Sequence, residues 1–407
     1  MRQENARAQV AMPGDAKIRN RQMMLRAICS GQAVTAADIH QSTGISRPTA
    51  MRFLQHLCQC GAVAPVGFGE STRAGGKKPE LFRFSDQRRI LCVNLWPETI
   101  TLALSGLVGP VYDLEENAYR LTPCLDDDLA RAKALAQAYL ARRGLSLEGL
   151  YGVALTVPGT VDYAAQTLRY NSQAPGWGAE VNLGQKLRDL LGERLVYYID
   201  NAGKAAGRAL LLEHPEYAEK RLITFFTTWG VSACLLDRGR ALSGRDSLIG
   251  EIGHMIICDT DGELCGCGKR GCLESMVSLG RARRMLAGLG APPAECEGLT
   301  FQGLFAASAA GEPRARRITE YLAHCFAVAL QNLSLAYNQE TVVFQGDFAW
   351  ADAHFDACLK EELRQFRYYP RGGLFEIVYD KRALTRLAAQ GGAGELIKKY
   401  FDDLARK

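Results

Sequence analysis

The hydrophobic pattern divides the 407-residue chain into a short helical segment and a longer segment in which strands alternate with helices. In the short segment, apolar residues recur three times at helical spacing, and two short apolar runs follow them. The pattern predicts helices at Arg19–Ser30, from Thr35 onward and at Ser46–Cys60, and then strands at Ala62–Val66 and Leu81–Phe84. Helix-start signals agree, because Thr35 and Asp38 can form a capping box and Ser46 can cap the third helix ahead of Pro48.

The longer segment begins near Arg88 and has the pattern of an α/β body. It predicts buried strands at Ile90–Leu95, Ile100–Leu104, Leu150–Leu155, Leu195–Ile199, Leu222–Phe226, Val231–Leu236 and Thr341–Phe344. An Ala- and Leu-rich helix is predicted at Asp126–Arg143, and helices dominate after Ser278. Such alternation predicts sheets covered by helices, with ligands near the carboxyl ends of strands. We expect one domain of residues 1–86 and a body of residues 87–407.

The first domain has the helix spacing of a winged helix-turn-helix, in which the third helix enters the major groove of DNA. The loop between its two strands, Gly67–Pro79, is rich in Gly and Lys and suits a wing that contacts the DNA backbone. The predicted DNA contacts are Ser46, Arg47, Thr49, Met51 and Arg52 on the third helix, and Arg73, Lys77 and Lys78 in the wing. A small three-helix module that binds another protein would show the same helical pattern.

The distribution of charge favours DNA as the partner of the first domain. Residues 1–84 contain 12 Lys/Arg and 5 Asp/Glu, a balance of +7, so a net charge of +5 for the whole chain leaves −2 for the rest. A basic module on a slightly acidic body indicates that only the module meets a polyanion. The 13 cysteines are dispersed and odd in number, which argues against a disulfide framework. With no signal peptide or membrane segment evident in the sequence, we expect a soluble, cytoplasmic protein.

The most specific chemical signal lies between residues 251 and 274. His254, Cys265, Cys267 and Cys272 offer the number and type of ligands that a closed tetrahedral zinc site needs, and glycines between them allow tight turns. Buried cysteines beside an unrelated histidine are the alternative, but the Gly, Lys and Arg residues around the sulfurs do not form a core. Because four residues fill the coordination sphere, the predicted zinc ion is structural. Glu251 and Glu274 lie just outside the ligand set, where they could face a polar ligand.

Four motifs of the body match those of a known family in order and spacing: Val157–Asp162, Ala174–Trp177, Gly250–His254 and Cys265–Glu274. The body resembles the ROK family of bacterial repressors, open reading frames and sugar kinases, a branch of the actin-like ATPase superfamily. A winged helix-turn-helix in front of this body resembles the domain arrangement of the family's repressors. The resemblance implies two actin-like lobes with a ligand cleft between them, zinc on the four residues named above, and a homodimer or tetramer. It also implies that Glu251, His254 and Glu274 hold sugar hydroxyls or position the groups that do.

The phosphate-binding loops of the family's kinases are degraded in this sequence. The first loop aligns with Asn94–Thr99, where no glycine remains and Trp, Pro and Glu occupy the turn. The second aligns with Thr228–Cys234, where only Gly230 is kept. Glycines let phosphates approach backbone N–H groups, and proline removes a donor. We therefore expect that the chain is not an enzyme.

Asp200 stands at the end of the predicted strand Leu195–Ile199 and aligns, by the resemblance, with the family's catalytic base. A shift of one residue would place Asn201 there instead. Without a phosphoryl donor, Asp200 could accept a hydrogen bond from a ligand hydroxyl, or it could simply cap the following helix. Asn171, in a loop with Pro and Gly, is a further candidate for the ligand and otherwise a turn residue.

Together these features predict a transcriptional regulator, with repression the expected mode, that binds operator DNA and senses a sugar or sugar derivative in its cleft. Two alternatives stay open. The chain could be an active sugar kinase with an added DNA-binding domain, or a regulator controlled by a partner protein instead of a sugar.

Overall fold

The computed structural model describes residues 13–29, 33–69, 78–172, 174–365 and 375–406. The chain forms two compact units. The first takes in the residues up to Ile90, a short stretch at Ser105–Pro110 and the C-terminal residues from Glu395. The second consists of Leu91–Leu104 and Val111–Gly394. The first unit thus contains a C-terminal piece that a division of the sequence at residue 86 assigns to the body.

The first unit contains three helices and a two-stranded antiparallel sheet. The elements are α1 (Pro13–Ile28), α2 (Ala36–Thr43), α3 (Arg47–Gln59), β1 (Val63–Phe68) and β2 (Glu80–Phe84). The predicted capping box is confirmed, because Thr35 Oγ1 accepts from the backbone N–H of Asp38 while the Asp38 carboxylate accepts from the Thr35 N–H. Gly44 then ends α2 in the left-handed conformation, with φ of 73°.

Helix α3 places its apolar side chains inward and leaves its N-terminal end open to solvent. The buried positions are Ala50, Phe53, Leu54 and Leu57. Ser46 occupies the N-cap position, but its hydroxyl bonds to Thr49 Oγ1 at 2.9 Å and caps no backbone N–H. The predicted side-chain cap at Ser46 is therefore wrong, because the neighbouring hydroxyl competes for the same oxygen.

The end of the last helix packs within the first unit. The Gln22 amide donates to Asp402 at 2.8 Å, and the Tyr400 hydroxyl donates to the Asp86 carboxylate, also at 2.8 Å. The Phe84 ring meets the Tyr400 ring edge-on, with centroids 6.2 Å apart. These contacts join the helix–strand module to residues that follow it by more than 300 positions.

The first lobe of the second unit is built on one five-stranded sheet in the order β10-β6-β3-β4-β5. Its elements are β3 (Arg89–Leu95), β4 (Thr99–Gly106), β5 (Tyr112–Ala118), α4 (Leu125–Ala141), β6 (Leu150–Val157), β7 (Thr160–Asp162), β8 (Thr167–Tyr170), β9 (Val181–Asn182), α5 (Leu183–Leu191), β10 (Val196–Asn201) and α6 (Ala202–Glu213). Strands β6 and β10 are parallel, and β4 and β5 are antiparallel. The small strands β7, β8 and β9 form a separate antiparallel sheet.

The second lobe is built on another five-stranded sheet, in the order β13-β12-β11-β14-β15. Its elements are β11 (Arg221–Thr227), β12 (Val231–Asp237), β13 (Arg240–Ala241), α7 (Leu273–Met276), α8 (Leu279–Gly288), α9 (Pro293–Glu297), α10 (Phe301–Ala309), α11 (Pro313–Tyr337), β14 (Thr341–Gly346), α12 (Ala353–Gln365), β15 (Glu376–Asp380) and α13 (Leu384–Arg406). The predicted α/β body is confirmed. In the described ranges no helix has both the length and the apolar composition needed to cross a bilayer.

An aromatic core fixes the strand ends of the second lobe. Phe225 stacks on Phe344 with ring centroids 5.2 Å apart, and Phe326 lies 4.7 Å from Phe348. Each buried aromatic ring removes a large apolar area from water. Beside this core, the Thr227 hydroxyl donates to the Gln345 carbonyl at 2.6 Å. The carboxyl ends of β11 and β14 are therefore held together.

The N-terminal part of helix α13 lies against the backbone of helix α6. A Cβ atom on Gly391 would lie 1.8 Å from the Ala205 carbonyl oxygen, which is far closer than any Cβ atom can approach. The same end of α13 accepts a hydrogen bond from Asn94 at the Thr385 carbonyl, at 3.0 Å. Gly391 therefore sets the distance between these two helices.

We expect Gly391→Ala to lower the free energy of unfolding by about 1–3 kcal/mol, because the added methyl forces the two helices apart. Gly288→Ala is the matched control, since nothing lies within 4 Å of a Cβ atom at the end of α8. It should change stability by less than about 0.5 kcal/mol. Urea unfolding of both variants checks this, and equal effects would show that the helices do not touch at Gly391.

Candidate functional site

The four residues predicted to bind zinc come together in one loop region. Nδ1 of His254 lies 3.5 Å from Sγ of Cys265, and Sγ of Cys267 lies 3.6 Å from Sγ of Cys272. All four ligand atoms lie within 4.8 Å of one another. Around a zinc ion with bonds of ~2.3 Å, sulfurs at the corners of a tetrahedron are about 3.8 Å apart. The distances and the donor types therefore fit a tetrahedral metal site.

Tight turns bring the three sulfurs to this region. The Cys265 N–H donates to the Lys269 carbonyl at 2.8 Å, which closes the turn between the first two cysteines and the third. Gly271 has φ of 76°, and a Cβ atom there would lie 1.5 Å from the Cys258 carbonyl oxygen. Only glycine fits that position, so the loop can pass close to Cys258 before Cys272 starts helix α7.

The three thiols differ in how readily they lose a proton. A hydrogen bond from the Lys269 backbone lowers the pKa of Cys267, whereas burial raises the pKa of Cys265 and raises that of Cys272 to about 12. A metal ion must displace the protons of the two buried thiols, so metal binding at this cluster releases protons.

Two carboxylates lie beside the cluster, and their surroundings differ. Glu274, on α7, accepts a hydrogen bond from the Val231 N–H at 2.9 Å. Glu251 keeps one buried oxygen, Oε1, for which the described residues supply no hydrogen-bond partner. Burial raises the pKa of Glu251, although the Lys204 ammonium acts in the opposite direction. A buried acceptor without a donor costs about 1–3 kcal/mol, so such an atom is well suited to a ligand hydroxyl.

Glu251, Glu274 and His254 line a cavity of about 100 Å³ that residues of both lobes enclose. Trp96 extends into its wall from the first lobe, with its ring 5.7 Å from that of Phe226 in the second lobe. The indole Nε1 of Trp96 is buried and has no acceptor among the described residues. The lining of the cavity thus combines two carboxylates, an imidazole and aromatic side chains, which together suit a sugar ring.

Asp200 is not among the residues that line this cavity. Its carboxylate forms a buried ion pair with Arg208 and accepts from the Tyr198 hydroxyl at 3.0 Å. Successive side chains of a strand point to opposite sides, so Asp200 and Asn201 cannot both face the cavity. The ligand contact at Asp200 stays a prediction, and in the structure its carboxylate is occupied by Arg208 and Tyr198.

Asn201 occupies the cavity wall instead, and it also caps helix α6. Its Oδ1 accepts from the Gly203 N–H at 2.8 Å, and its Nδ2 donates to the Gly159 carbonyl at 2.7 Å. The alternative in which Asp200 caps the helix is therefore wrong.

The other predicted site residues are divided between the two units. Asn171 is buried and does not line the cavity, although its neighbour Ser172 does. Among the DNA contacts predicted on and before α3, the exposed side chains are Ser46, Arg47 and Arg52. The partly exposed ones are Thr49 and Met51. Lys78 is exposed, whereas Arg73 and Lys77 lie outside the described residues.

A second, larger cavity of about 590 Å³ adjoins the first and shares Glu274 and the residues from Thr228 to Val231. Asp347 lies in its wall directly after β14, and its lining contains neither Lys nor Arg. Burial raises the pKa of Asp347 to about 6. The sequence interpretation missed this residue, although an acid that directly follows a strand end is a recognisable signal.

The raised pKa of Asp347 predicts a pH-dependent stability. The folded protein binds this proton more tightly than the unfolded chain, so stability falls as the pH rises from about 4 to about 6. We expect Asp347→Asn to be more stable than the wild type by about 1–2 kcal/mol at pH 7, after allowance for solvent screening, and equally stable near pH 4. Urea unfolding across this pH range measures the difference. The control Glu193→Gln, at an exposed carboxylate, should show no such trend.

Comparisons with known proteins agree with this architecture. A helix-turn-helix domain of the IclR type matches residues 24–67, and the ROK family matches residues 130–398. The xylose repressor of Bacillus spizizenii is 19% identical over 95% of this chain and 97% of its own length. A glucokinase of Halalkalibacterium halodurans is 28% identical over 64% of this chain and 80% of its own length.

Solved structures show the same fold. The crystal structure of a ROK family transcriptional regulator, a homologue of the E. coli Mlc protein, has a TM-score of 0.77 and 19% identity. It covers 97% of this chain and 99% of its own. A ROK hexokinase from Thermus thermophilus has a TM-score of 0.59 over 76% of this chain and 99% of its own. The fold is thus a helix-turn-helix followed by a two-lobed, actin-like body, and the chain belongs to the ROK family.

Proposed function

We propose that this protein is a DNA-binding transcriptional repressor that senses a sugar or sugar derivative and has lost kinase activity. One observation carries the proposal. The cavity keeps a buried, unpartnered Glu251 oxygen beside His254 and Glu274, while Trp96 stands where the first phosphate loop would pass. Relatives named xylose repressor and a structure described as a transcriptional regulator support the same conclusion.

The sugar side of the cavity has unused hydrogen-bonding groups. Glu251 Oε1 can accept from one ligand hydroxyl, and Trp96 Nε1 can donate to another. The indole rings of Trp96 and Trp229, the latter 56% exposed, can cover the apolar face of a sugar. A neutral ligand with several hydroxyls satisfies all of these groups, whereas an anionic ligand would meet two carboxylates.

The metal site supports this side of the cavity. We infer that the ion is Zn²⁺, bound by His254, Cys265, Cys267 and Cys272, and that it is structural because these four residues complete a tetrahedron. Bound zinc would supply a fixed charge and rigid cross-links between the turn that carries His254 and the start of α7, which carries Glu274. Nδ1 of His254 faces the sulfurs, which leaves its other ring nitrogen for a ligand.

The phosphate side lacks the groups that a kinase needs. Trp96 and Pro97 fill the turn where glycines would admit a polyphosphate, and proline has no N–H to donate. The Asp347 carboxylate in the second cavity would repel a nucleotide phosphate. Asn201, which faces the first cavity, is an amide and cannot accept a proton from a sugar hydroxyl as a general base does.

The DNA-binding side rests on α3. Arg47 and Arg52 are exposed near its N-terminal end, as the reading helix of a helix-turn-helix requires, and Lys78 is exposed at the edge of the wing. We infer a DNA-binding domain of residues 1–86 that acts as part of a homodimer or tetramer on operator DNA. Ligand control then requires that the sugar bind one arrangement of the DNA-binding domains better than another.

We expect Arg47→Ala and Arg52→Ala each to weaken binding to a selected operator fragment by about 1–3 kcal/mol, because these side chains reach base edges. Lys78→Ala should weaken binding to any DNA and reduce the salt slope by about 1. Fluorescence anisotropy at several salt concentrations measures both effects. Arg245→Ala is the control, because it removes the same charge from a side chain of the body that is 91% exposed. Operator binding by all three variants at wild-type affinity would exclude α3 as the reading helix.

We expect a neutral sugar from a panel of pentoses, hexoses and N-acetyl amino sugars to raise the melting temperature and change operator affinity. Glu251→Gln should weaken the binding of that sugar at least about tenfold, because the amide presents a donor where the ligand hydroxyl also donates. Glu148→Gln, an exposed carboxylate on the body, is the control.

Two measurements separate the alternatives: ATP hydrolysis in the presence of each sugar, and the sugar panel described above. Sugar-dependent ATP hydrolysis would restore the kinase hypothesis. A panel in which no sugar changes the melting temperature or the DNA affinity would favour control by a partner protein instead.

A further inference from the structure

A second group of metal-ligating side chains lies along the seam between helices α11 and α12. Glu320 and His324 are one helical turn apart on α11, and His354, Cys358 and Glu362 follow one another at the same interval on α12. Each set therefore lies on one face of its helix. The two faces meet, because Glu320 contacts His354 and His324 contacts Glu362.

Three of these donors are close enough to share one ion. Nε2 of His354 lies 3.0 Å from Oε1 of Glu320 and 3.8 Å from Sγ of Cys358, and the three ligand atoms lie within 4.8 Å of one another. Tetrahedral zinc places nitrogen and oxygen ligands about 3.3 Å apart and nitrogen and sulfur ligands about 3.5 Å apart. Small side-chain adjustments would bring all three atoms onto one ion.

Core packing between α11 and α12 fixes the backbones that carry these donors. Phe326 of α11 and Phe355 of α12 are fully buried, with ring centroids 6.2 Å apart, and Leu359 of α12 is fully buried in the same core. Because the backbones are fixed by this packing, the positions of the donors at the rim of the seam are set in advance, which lowers the entropy cost of binding.

The charge around Cys358 also favours a cation. The carboxylates of Glu320, Asp352 and Glu362 act electrostatically on its thiol. Their negative potential attracts a metal ion, which displaces the thiol proton on binding. Two exposed histidine–carboxylate ion pairs would explain the placement of four of the five seam residues, but they give no role to a cysteine beside an imidazole nitrogen.

We propose that Glu320, His354 and Cys358 bind a second Zn²⁺ ion. One thiolate, one imidazole and one carboxylate are ligands that zinc accepts together. The set supplies three ligands and leaves a fourth position for water or an external donor, whereas the His254 cluster supplies four. In the described part of the chain, these are the two groups of such donors that meet the spacing of a metal site. The second ion cross-links α11 to α12 and is exchangeable.

Zinc titration of the reduced, metal-free full-length protein against a chromophoric chelator tests the proposal. His354→Ala and Cys358→Ser should each bind one equivalent fewer per chain than the wild type. His324→Gln is the matched control on the same seam and should bind as much zinc as the wild type. Circular dichroism shows whether each variant keeps its fold, which we expect because the changed side chains lie at the rim.

Two further results decide the question. Cys272→Ser should lose one equivalent independently, which reports on the first cluster and keeps the two sites distinguishable. If His354→Ala and Cys358→Ser both bind as much zinc as the wild type, the seam holds only surface ion pairs and the proposal is wrong.

Discussion

The candidate site depends on the contact between one loop and the backbone of strand β12. The Ala233 N–H donates to the Gly250 carbonyl at 2.7 Å, and a Cβ atom on Gly253 would lie 2.0 Å from the Val231 carbonyl oxygen. Glu274 reaches the same strand through the Val231 N–H. Since the loop carries Glu251 and His254, this contact fixes their positions relative to the sheet. No side chain larger than hydrogen fits at Gly253 without moving the loop away.

That constraint separates the wall of the cavity that carries the carboxylates from the wall that carries Trp96 and Pro97. The carboxylates and the cysteine cluster are held by backbone contacts to β12 inside the second lobe, and these contacts do not involve the Asn94–Thr99 turn of the first lobe. Bulky residues such as Trp96 and Pro97 can therefore occupy one wall of the cavity without displacing the opposite wall. The aromatic residues that close the phosphate side also enlarge the surface on which a sugar can stack.

Local signals in the sequence predicted much of the fold and of the site. The Thr35 capping box, the paired strands of the second lobe and the four donors of the cluster depend on residues that are close in the chain. The orientation of Asp200 could not be predicted, because a change of one position in a strand moves a side chain to the opposite face. The burial of Asp347 could not be predicted, because the residues that line its cavity come from segments that are distant in sequence.

The contribution of the last helix to the first unit has a consequence for the synthesis of the protein. Asp402 and Tyr400 bond to Gln22 and Asp86, so the unit that carries α3 draws on both ends of the sequence. A ribosome has to translate the whole body before these contacts can form. A nascent chain that has only its first domain outside the ribosome therefore lacks part of the support of its helices. The reading helix therefore gains its full support only in polypeptides that already possess the sensing body.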